Sequence, residues 1–242
     1  MDKLEDRKMK KNGKFSFLSD FLVSGLRLLF PRLCVVCGDV LVNGEQHICT
    51  GCICRMPLNM GVERNADEKM KEKLGVENLF WLFTYNPKSD FHRLIYAIKY
   101  KSRQEVGVWA GRMLGERMGT GHGIDCIVPV PLHPAREKER GFNQSLAIGT
   151  GIAEVLGIRI EPDVLVRVVN TPSQTRVRRE DRAGNVMSAF ALKDAERLRG
   201  CHVLLVDDVL TSGATTRACL TELREVEGIR FSVAYLGKAG EI

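Results

Sequence analysis

No segment of this sequence is both long enough and apolar enough to cross a membrane. The longest apolar region, residues 15–30, is interrupted by Asp20 and Arg27 and is shorter than the roughly 20 apolar residues of a spanning helix. Its helical spacing predicts an amphipathic helix ending at Pro31, which docks on the protein body or, alternatively, on a membrane surface or a partner. A basic stretch precedes it, but no small-residue cleavage site follows. We therefore expect a cytoplasmic protein.

The sequence also lacks a Walker-type lysine motif and a strong excess of one charge. The glycine-rich residues 119–123 precede an apparent strand, so we interpret them as a connector and not as a nucleotide loop. The formal net charge of +6 permits anionic ligands without requiring nucleic acid. A chain of 242 residues suits one ordinary domain plus a small one.

Eight cysteines are too few for a dense disulfide scaffold, yet four of them form two Cys-x-x-Cys pairs. Cys34 and Cys37 make the first pair, and Cys49 and Cys52 make the second. Two such pairs can surround one tetrahedral ion, and four thiolates leave no open coordination position. The spacing predicts a structural Zn²⁺ site. A disulfide pair is the alternative in an oxidising compartment, and a redox motif would not need two copies.

A second pattern joins a strand, two carboxylates and a helix start. Four apolar residues, 203–206, predict a strand buried on both faces, and Asp207 and Asp208 follow it. Small and hydroxylated residues then precede a helical segment: Thr211, Ser212, Gly213, Ala214 and Thr215. Backbone N–H groups at a helix start can bind an anion, and paired carboxylates can accept sugar hydroxyls directly or through Mg²⁺. A ribose 5-phosphate offers both a phosphate for the helix start and hydroxyls for the carboxylates. The alternative interpretation of this pattern is a core strand followed by an acidic turn and a helix cap, without a ligand.

Strand and helix patterns alternate after residue 78, which predicts an α/β domain with a mostly parallel sheet. We divide the chain into a basic tail with the amphipathic helix (1–30), a four-cysteine zinc module (31–60), a linker with a short helix (61–77) and the α/β domain (78–242). In such a sheet, ligands lie outside the carboxyl ends of the strands. We expect the site near Val130 and Asp207.

Two loops are predicted to lie near that edge. Pro129 and Pro131 stop ladder pairing and make the loop after their strand rigid, and a basic segment, 132–144, then leads into a helix that runs to about residue 156. A second loop, 170–186, is too long for a simple connector and carries four arginines. Loops of this kind are usually lids or binding segments.

The run from Asp207 to Thr215 resembles the binding loop for phosphoribosyl pyrophosphate (PRPP) in type I phosphoribosyltransferases, D-D-V-x-T-[ST]-G-x-T, without departure. The resemblance implies a phosphoribosyltransferase-like fold in which Asp207 and Asp208 hold the ribose, residues 211–215 hold the 5-phosphate, and Mg²⁺ assists. It also implies a pyrophosphate site, for which the candidates are Pro129, Val130, Arg140, Gly141, Asn143, Gln144, Arg176, Arg178, Arg179 and Arg182.

Further motifs resemble the ComF family, also called the competence protein F or GntX type. They are the two Cys-x-x-Cys pairs, the run from Arg140 to Gln144, and three residues of the long loop: Gln174, Arg182 and Asn185. The resemblance covers roughly residues 31–236. It implies a role in DNA uptake during natural transformation, beside a helicase-like partner, or in using DNA as a nutrient.

Three hypotheses of function are compatible with the sequence. The chain is an enzyme that transfers the phosphoribosyl group, a non-catalytic protein that senses PRPP and binds single-stranded DNA or an uptake partner, or a zinc-mediated scaffold. Basic residues near Lys99 suit a nucleic acid backbone, although only Tyr96 and Tyr100 offer nearby rings for stacking. No residue stands out as a general base for an acceptor.

Overall fold

The computed structural model describes residues 30–59, 65–100, 103–169 and 189–240. The helix expected before Pro31 and the long loop lie outside these residues, and so do four candidates for pyrophosphate: Arg176, Arg178, Arg179 and Arg182. The chain divides into two compact units, and the boundary along the sequence lies between Arg55 and Met56.

The small unit is built around the first pair of cysteines. Leu33 and Val40 form an antiparallel bridge, and the backbone N–H of Cys34 donates to the carbonyl of Asp39 at 2.8 Å. Gly38 turns the chain between them with a φ of 86°, a conformation that side chains disfavour. One short helix, α1 (Thr50–Arg55), begins inside the second pair. The two pairs therefore lie on a tight loop and on a helix start.

The large unit alternates strands and helices along the chain. Its helices are α2 (Asn65–Leu74), α3 (His92–Tyr100), α4 (Gln104–Met118), α5 (Pro134–Arg140), α6 (Gln144–Leu156) and α7 (Ala214–Leu223), with a 3₁₀ turn at Glu196–Leu198. Its strands are β1 (Asn78–Tyr85), β2 (Cys126–Pro129), β3 (Arg159–Ile160), β4 (Leu165–Arg167), β5 (Phe190–Leu192), β6 (His202–Leu210) and β7 (Arg230–Ala239).

Five of these strands form one sheet in the order β1-β7-β6-β2-β3, and every neighbouring pair is parallel. The predicted α/β class with a mostly parallel sheet is therefore confirmed. Pro129 lies opposite Val206, so β2 and β6 deliver their following residues to the same edge of the sheet. β4 and β5 pair separately as an antiparallel ribbon.

Burial explains why β6 is the central strand. The side chains of Val203 to Val206 are almost fully buried, as expected for a strand covered on both faces. On one face α4 packs against α6 through glycines. A Cβ added at Gly151 would lie 2.0 Å from the carbonyl oxygen of Val108, so only glycine permits this approach of the two backbones.

The helix α2 belongs to the large unit. Its Leu74 is buried in the core, and the carbonyl of Leu74 accepts a hydrogen bond from Arg224 at 2.5 Å. Near the start of α2, the buried carboxylate of Asp67 forms an ion pair with Lys238 of β7. These contacts hold the segment before β1 onto the sheet.

The basic segment 132–144 is folded differently from its predicted form. It contains a separate helix, α5, before the predicted one. His133 caps α5 by accepting the backbone N–H of Ala135 at 3.2 Å, and Pro134 occupies the first turn, where its missing N–H costs nothing. Gly141 ends α5 in the left-handed region at φ 85°.

In the part of the chain that the structure covers, no helix combines the length and apolarity needed to span a bilayer.

Candidate functional site

The carboxyl end of β6 lies beside the start of α6, and the contact between them holds Asp207. The Oδ1 atom of Asp207 accepts the hydroxyl of Ser145 at 3.1 Å and the backbone N–H of Asp208 at 2.9 Å. Ser145 is itself in the first turn of α6. Two donors on different elements therefore fix the orientation of this carboxyl group.

The environment of Asp207 disfavours its negative charge. Burial and the neighbouring charge of Asp208 raise the pKa of Asp207 to about 7, although the backbone N–H of Asp208, Lys99 and Ser145 act in the opposite direction. Burial and a like charge are the usual causes of such a rise. Carboxyl groups with strongly raised pKa values in a cleft are typical of functional sites.

Asp208 has a cationic partner. Its Oδ2 atom lies 2.8 Å from the Nζ atom of Lys99 on α3, and both side chains are mostly buried. Burial lowers the pKa of Lys99, but the charges of Asp208 and Asp207 outweigh burial and raise it. Lys99 therefore stays protonated and offsets part of the charge of the acidic pair.

The turn after β6 forms one side of a cleft. Gly213 has a φ of 71°, and α7 begins directly after it. The cleft has a volume of about 230 Å³ and is lined by Arg136, Arg167, Asp207 and residues 209–216. It therefore joins Asp207 to all five residues predicted for the 5-phosphate: Thr211, Ser212, Gly213, Ala214 and Thr215.

Asp208 and the described candidates for pyrophosphate do not line this cleft. Asp208 lies on β6, Pro129 and Val130 lie at the end of β2, and Arg140, Gly141, Asn143 and Gln144 lie at the α5–α6 junction. Asn143 caps α6 by accepting the backbone N–H of Ser145 at 3.0 Å, and its side-chain amide donates to the carbonyl of Val130 at 3.1 Å. Arg140 donates to Gln144 at 2.8 Å and lies over the ring of Tyr100 at 5.6 Å. This junction links the end of β2 to α6.

The sequence analysis did not predict four residues of the site: Lys99 as a partner of the acidic pair, Arg136, Ser145 and Arg167. The spacing of the arginines could have indicated Arg136, because it precedes the predicted Arg140 by four positions and therefore lies on the same helix face. Both arginines are partly buried, whereas the three residues between them are exposed. Arg167 had no local signal, because its position depends on the pairing of β4 with β5.

The small unit contains a candidate metal centre. The sulfur atoms of Cys34, Cys37, Cys49 and Cys52 all lie within 4.8 Å of one another, and those of Cys37 and Cys49 are 3.7 Å apart. The predicted cysteines thus come together as one group. Four sulfurs at this spacing fit a tetrahedral thiolate site for a metal such as zinc.

Hydrogen bonds around these sulfurs stabilise negative charge. Burial raises the pKa of Cys34, but hydrogen bonds from the backbone N–H groups of Cys37, Cys49 and Val36 outweigh it and lower that pKa to about 6. Arg55 donates to the sulfur of Cys52 at 3.6 Å. A second thiolate close to the first is disfavoured without a cation between them, so the unit is suited to a positive ion.

Comparison with known proteins gives relatives but no match to a family model. DNA utilization protein YhgH of Salmonella typhi is 34% identical over 128 residues, which cover 50% of this chain and 56% of the relative. Competence protein F of Haemophilus influenzae is 32% identical over 103 residues, covering 42% of this chain and 45% of the relative. Competence protein ComFC of Bacillus subtilis is 26% identical over 220 residues, covering 85% of each chain. The chain thus spans about half the length of the two more similar relatives.

Solved structures give weaker likenesses. Adenine phosphoribosyltransferase from Thermoanaerobacter pseudethanolicus aligns with a TM-score of 0.39 and 19% identity over 62% of this chain and 75% of its own. Glutamine PRPP amidotransferase from B. subtilis aligns with a TM-score of 0.37 and 21% identity over 57% of this chain and 30% of its own.

Two of these relatives have names of the ComF type, and this chain has the parallel sheet and the four-cysteine cluster that the resemblance implied. The resemblance to the ComF family that the motifs indicated is confirmed, since this chain is similar to proteins named competence protein F and ComFC.

Proposed function

We propose that this chain binds PRPP or a related ribose phosphate, with Mg²⁺, in the cleft at the end of β6. One observation carries the proposal: Asp207 and the turn 211–215 line the same small cleft. The turn supplies backbone N–H groups at a helix start for a phosphate, and the carboxyl pair supplies acceptors for ribose hydroxyls. The proposal extends to Zn²⁺ in the four-cysteine cluster and to a cytoplasmic location.

Mg²⁺ would bind beside the acidic pair. It prefers oxygen ligands and usually takes one or two carboxylates together with substrate phosphates. Asp208 already has Lys99 at 2.8 Å, so the ion would add to a site that is partly neutralised. We therefore expect Mg²⁺ to bind weakly alone and more tightly with a phosphate ligand.

In the cell, the proposed role is DNA uptake or DNA utilisation, as the names of the relatives suggest. Tyr96 and Tyr100 on α3 are exposed, and their ring centroids lie 4.9 Å apart. Arg140 lies over Tyr100. Exposed rings beside a guanidinium group suit stacking of single-stranded DNA, and a helicase-like partner is part of this proposal.

Turnover as a phosphoribosyltransferase is the second candidate, and the raised pKa of Asp207 favours it. A carboxyl group whose pKa is about 7 can exchange a proton near neutral pH. Release of pyrophosphate from PRPP, screened over free bases and single-stranded DNA, would detect this activity. Binding of PRPP without release would leave the non-catalytic role.

Calorimetric titration of PRPP with Mg²⁺ tests the binding proposal. Wild type should bind, and a variant with Asp207→Asn and Asp208→Asn should bind at least about tenfold more weakly, since two charged acceptors are lost. Asp194→Asn, an exposed site on another segment, is the matched control. Equal binding by all three proteins, or no binding to folded wild type, would overturn the proposal.

A further inference from the structure

Two arginines from separate elements converge on the cleft. Arg136 comes from α5 and Arg167 from β4, and both line the cleft together with the turn 211–215. Arg167 is held in place, because its guanidinium carbon lies 5.4 Å from the ring centroid of Phe190 and its Nε–H donates to the carbonyl of Val169 at 3.3 Å. Both arginines thus belong to the lining of the cleft.

Placing these two cations together is electrostatically unfavourable. Burial and the charge of Arg136 both lower the pKa of Arg167, which Asp207 only partly counteracts. Among the described residues that line the cleft, Asp207 alone bears a carboxyl group, and its raised pKa leaves it partly neutral near pH 7. The described lining of the cleft thus has two guanidinium groups and one carboxyl group, a set that favours an anionic ligand.

The size of the cleft limits the anion. A volume of about 230 Å³ is below the roughly 300–1,000 Å³ of sites for drug-sized ligands. It suits a sugar phosphate better than a nucleic acid chain. Two guanidinium groups and the backbone N–H groups of a helix start, in one cleft, complement a terminal phosphate better than a phosphodiester. The terminal phosphate carries nearly two charges at neutral pH, and the phosphodiester carries one.

We propose that Arg136 and Arg167 form the second wall of the phosphate subsite and make this cleft selective for a terminal phosphate monoester. This inference rests on the proposed ribose phosphate function and deepens it. In this chain, the turn 211–215 would bind one side of the phosphate, and the two arginines would bind the other. Both arginines act as specificity-determining residues.

The test is calorimetry with three probes at pH 8 and constant ionic strength: inorganic phosphate, dimethyl phosphate and ribose 5-phosphate. Arg136→Gln and Arg167→Gln should each weaken binding of ribose 5-phosphate at least tenfold. Arg167→Lys should weaken binding less than Arg167→Gln because lysine keeps the positive charge. Some loss should remain, since lysine lacks the planar fork of donors. Arg112→Gln is the control, since Arg112 is exposed and pairs with Glu154 on the surface. The affinity of Arg112→Gln for ribose 5-phosphate should stay within twofold of that of wild type.

Thermal unfolding should first show that each variant is folded, and only then are affinities compared. If Arg167→Gln does not fold, Arg136→Gln still tests the inference, because Arg136 lies on an exposed helix. Ribose 5-phosphate binding that depends on Asp207 but stays within twofold in both arginine variants would overturn the inference and leave the proposed function standing. Dimethyl phosphate binding as tightly as phosphate would also overturn it. Arginine-dependent phosphate binding without tighter binding of ribose 5-phosphate would support the subsite and contradict the proposed function.

Discussion

Lys99 of α3 and Asp208 of β6 form an ion pair with 2.8 Å between Nζ and Oδ2. The pair joins a helix that follows β1 to the strand at the centre of the sheet. It also places a positive charge beside two adjacent carboxyl groups, which would otherwise repel each other. The acidic pair is therefore supported from within the fold before any ligand arrives.

Lys99→Met should destabilise the protein by about 1–3 kcal/mol at pH 8, because a partly buried carboxylate loses a charged hydrogen-bond partner. Urea unfolding measures the change. Lys88→Met is the control, since Lys88 is exposed on a turn, and it should change stability by less than about 0.5 kcal/mol. Equal losses in the two variants would show that the pair contributes no stability.

Asp207 should make stability fall as the pH rises from 4 to 7. The pKa of Asp207 is about 7 in the folded chain against an ordinary 3.8, so in this range the folded state binds more protons than the unfolded state. Stability then decreases with pH and levels off above the folded pKa. The stability difference between Asp207→Asn and wild type should therefore shift in favour of the variant from pH 4.5 to pH 8. A difference that stays constant with pH, as expected for the Asp194→Asn control, would contradict the raised pKa.

Asn143 should contribute through two separate hydrogen bonds. Asn143→Ala loses both the cap of α6 and the link to Val130, at a combined cost of about 1–3 kcal/mol. Asn143→Ser keeps a capping oxygen and loses only the link. Urea unfolding should rank the stabilities as wild type, then Asn143→Ser, then Asn143→Ala, and equal stability of the two variants would show that the cap contributes nothing.

The four-cysteine cluster should bind one Zn²⁺ per chain. Cys49→Ser should lower the zinc content measured by mass spectrometry, because one of four ligands is lost. Cys54→Ser is the matched control, since Cys54 is exposed and outside the cluster. The prediction fails if both variants retain a full equivalent of zinc or if wild type contains none.

The elements that the sequence predicted well are those whose residues carry their own pattern. β1 was predicted with its observed bounds, Asn78–Tyr85, because an aromatic run between turn residues favours a strand. The two cysteine pairs and the turn 211–215 were equally visible, because each motif is short and contiguous. Local chemistry decides such features.

Features that depend on distant pairing were not predictable in the same way. β3 has two residues, too few for any periodicity, and exists because β2 offers it a partner. Arg167 reaches the cleft through the β4–β5 ribbon. The contact between Ser145 and Asp207 joins positions 62 residues apart, and no local pattern records it.

A crystal structure of the protein grown with ribose 5-phosphate and Mg²⁺ would show directly whether the cleft binds a sugar phosphate. We expect electron density for the phosphate between the turn 211–215 and the two arginines, Arg136 and Arg167. We also expect the ribose hydroxyls within hydrogen-bonding distance of Asp207 or Asp208. Density for the ligand at any other place, with this cleft empty, would show that the cleft is not the ribose phosphate site.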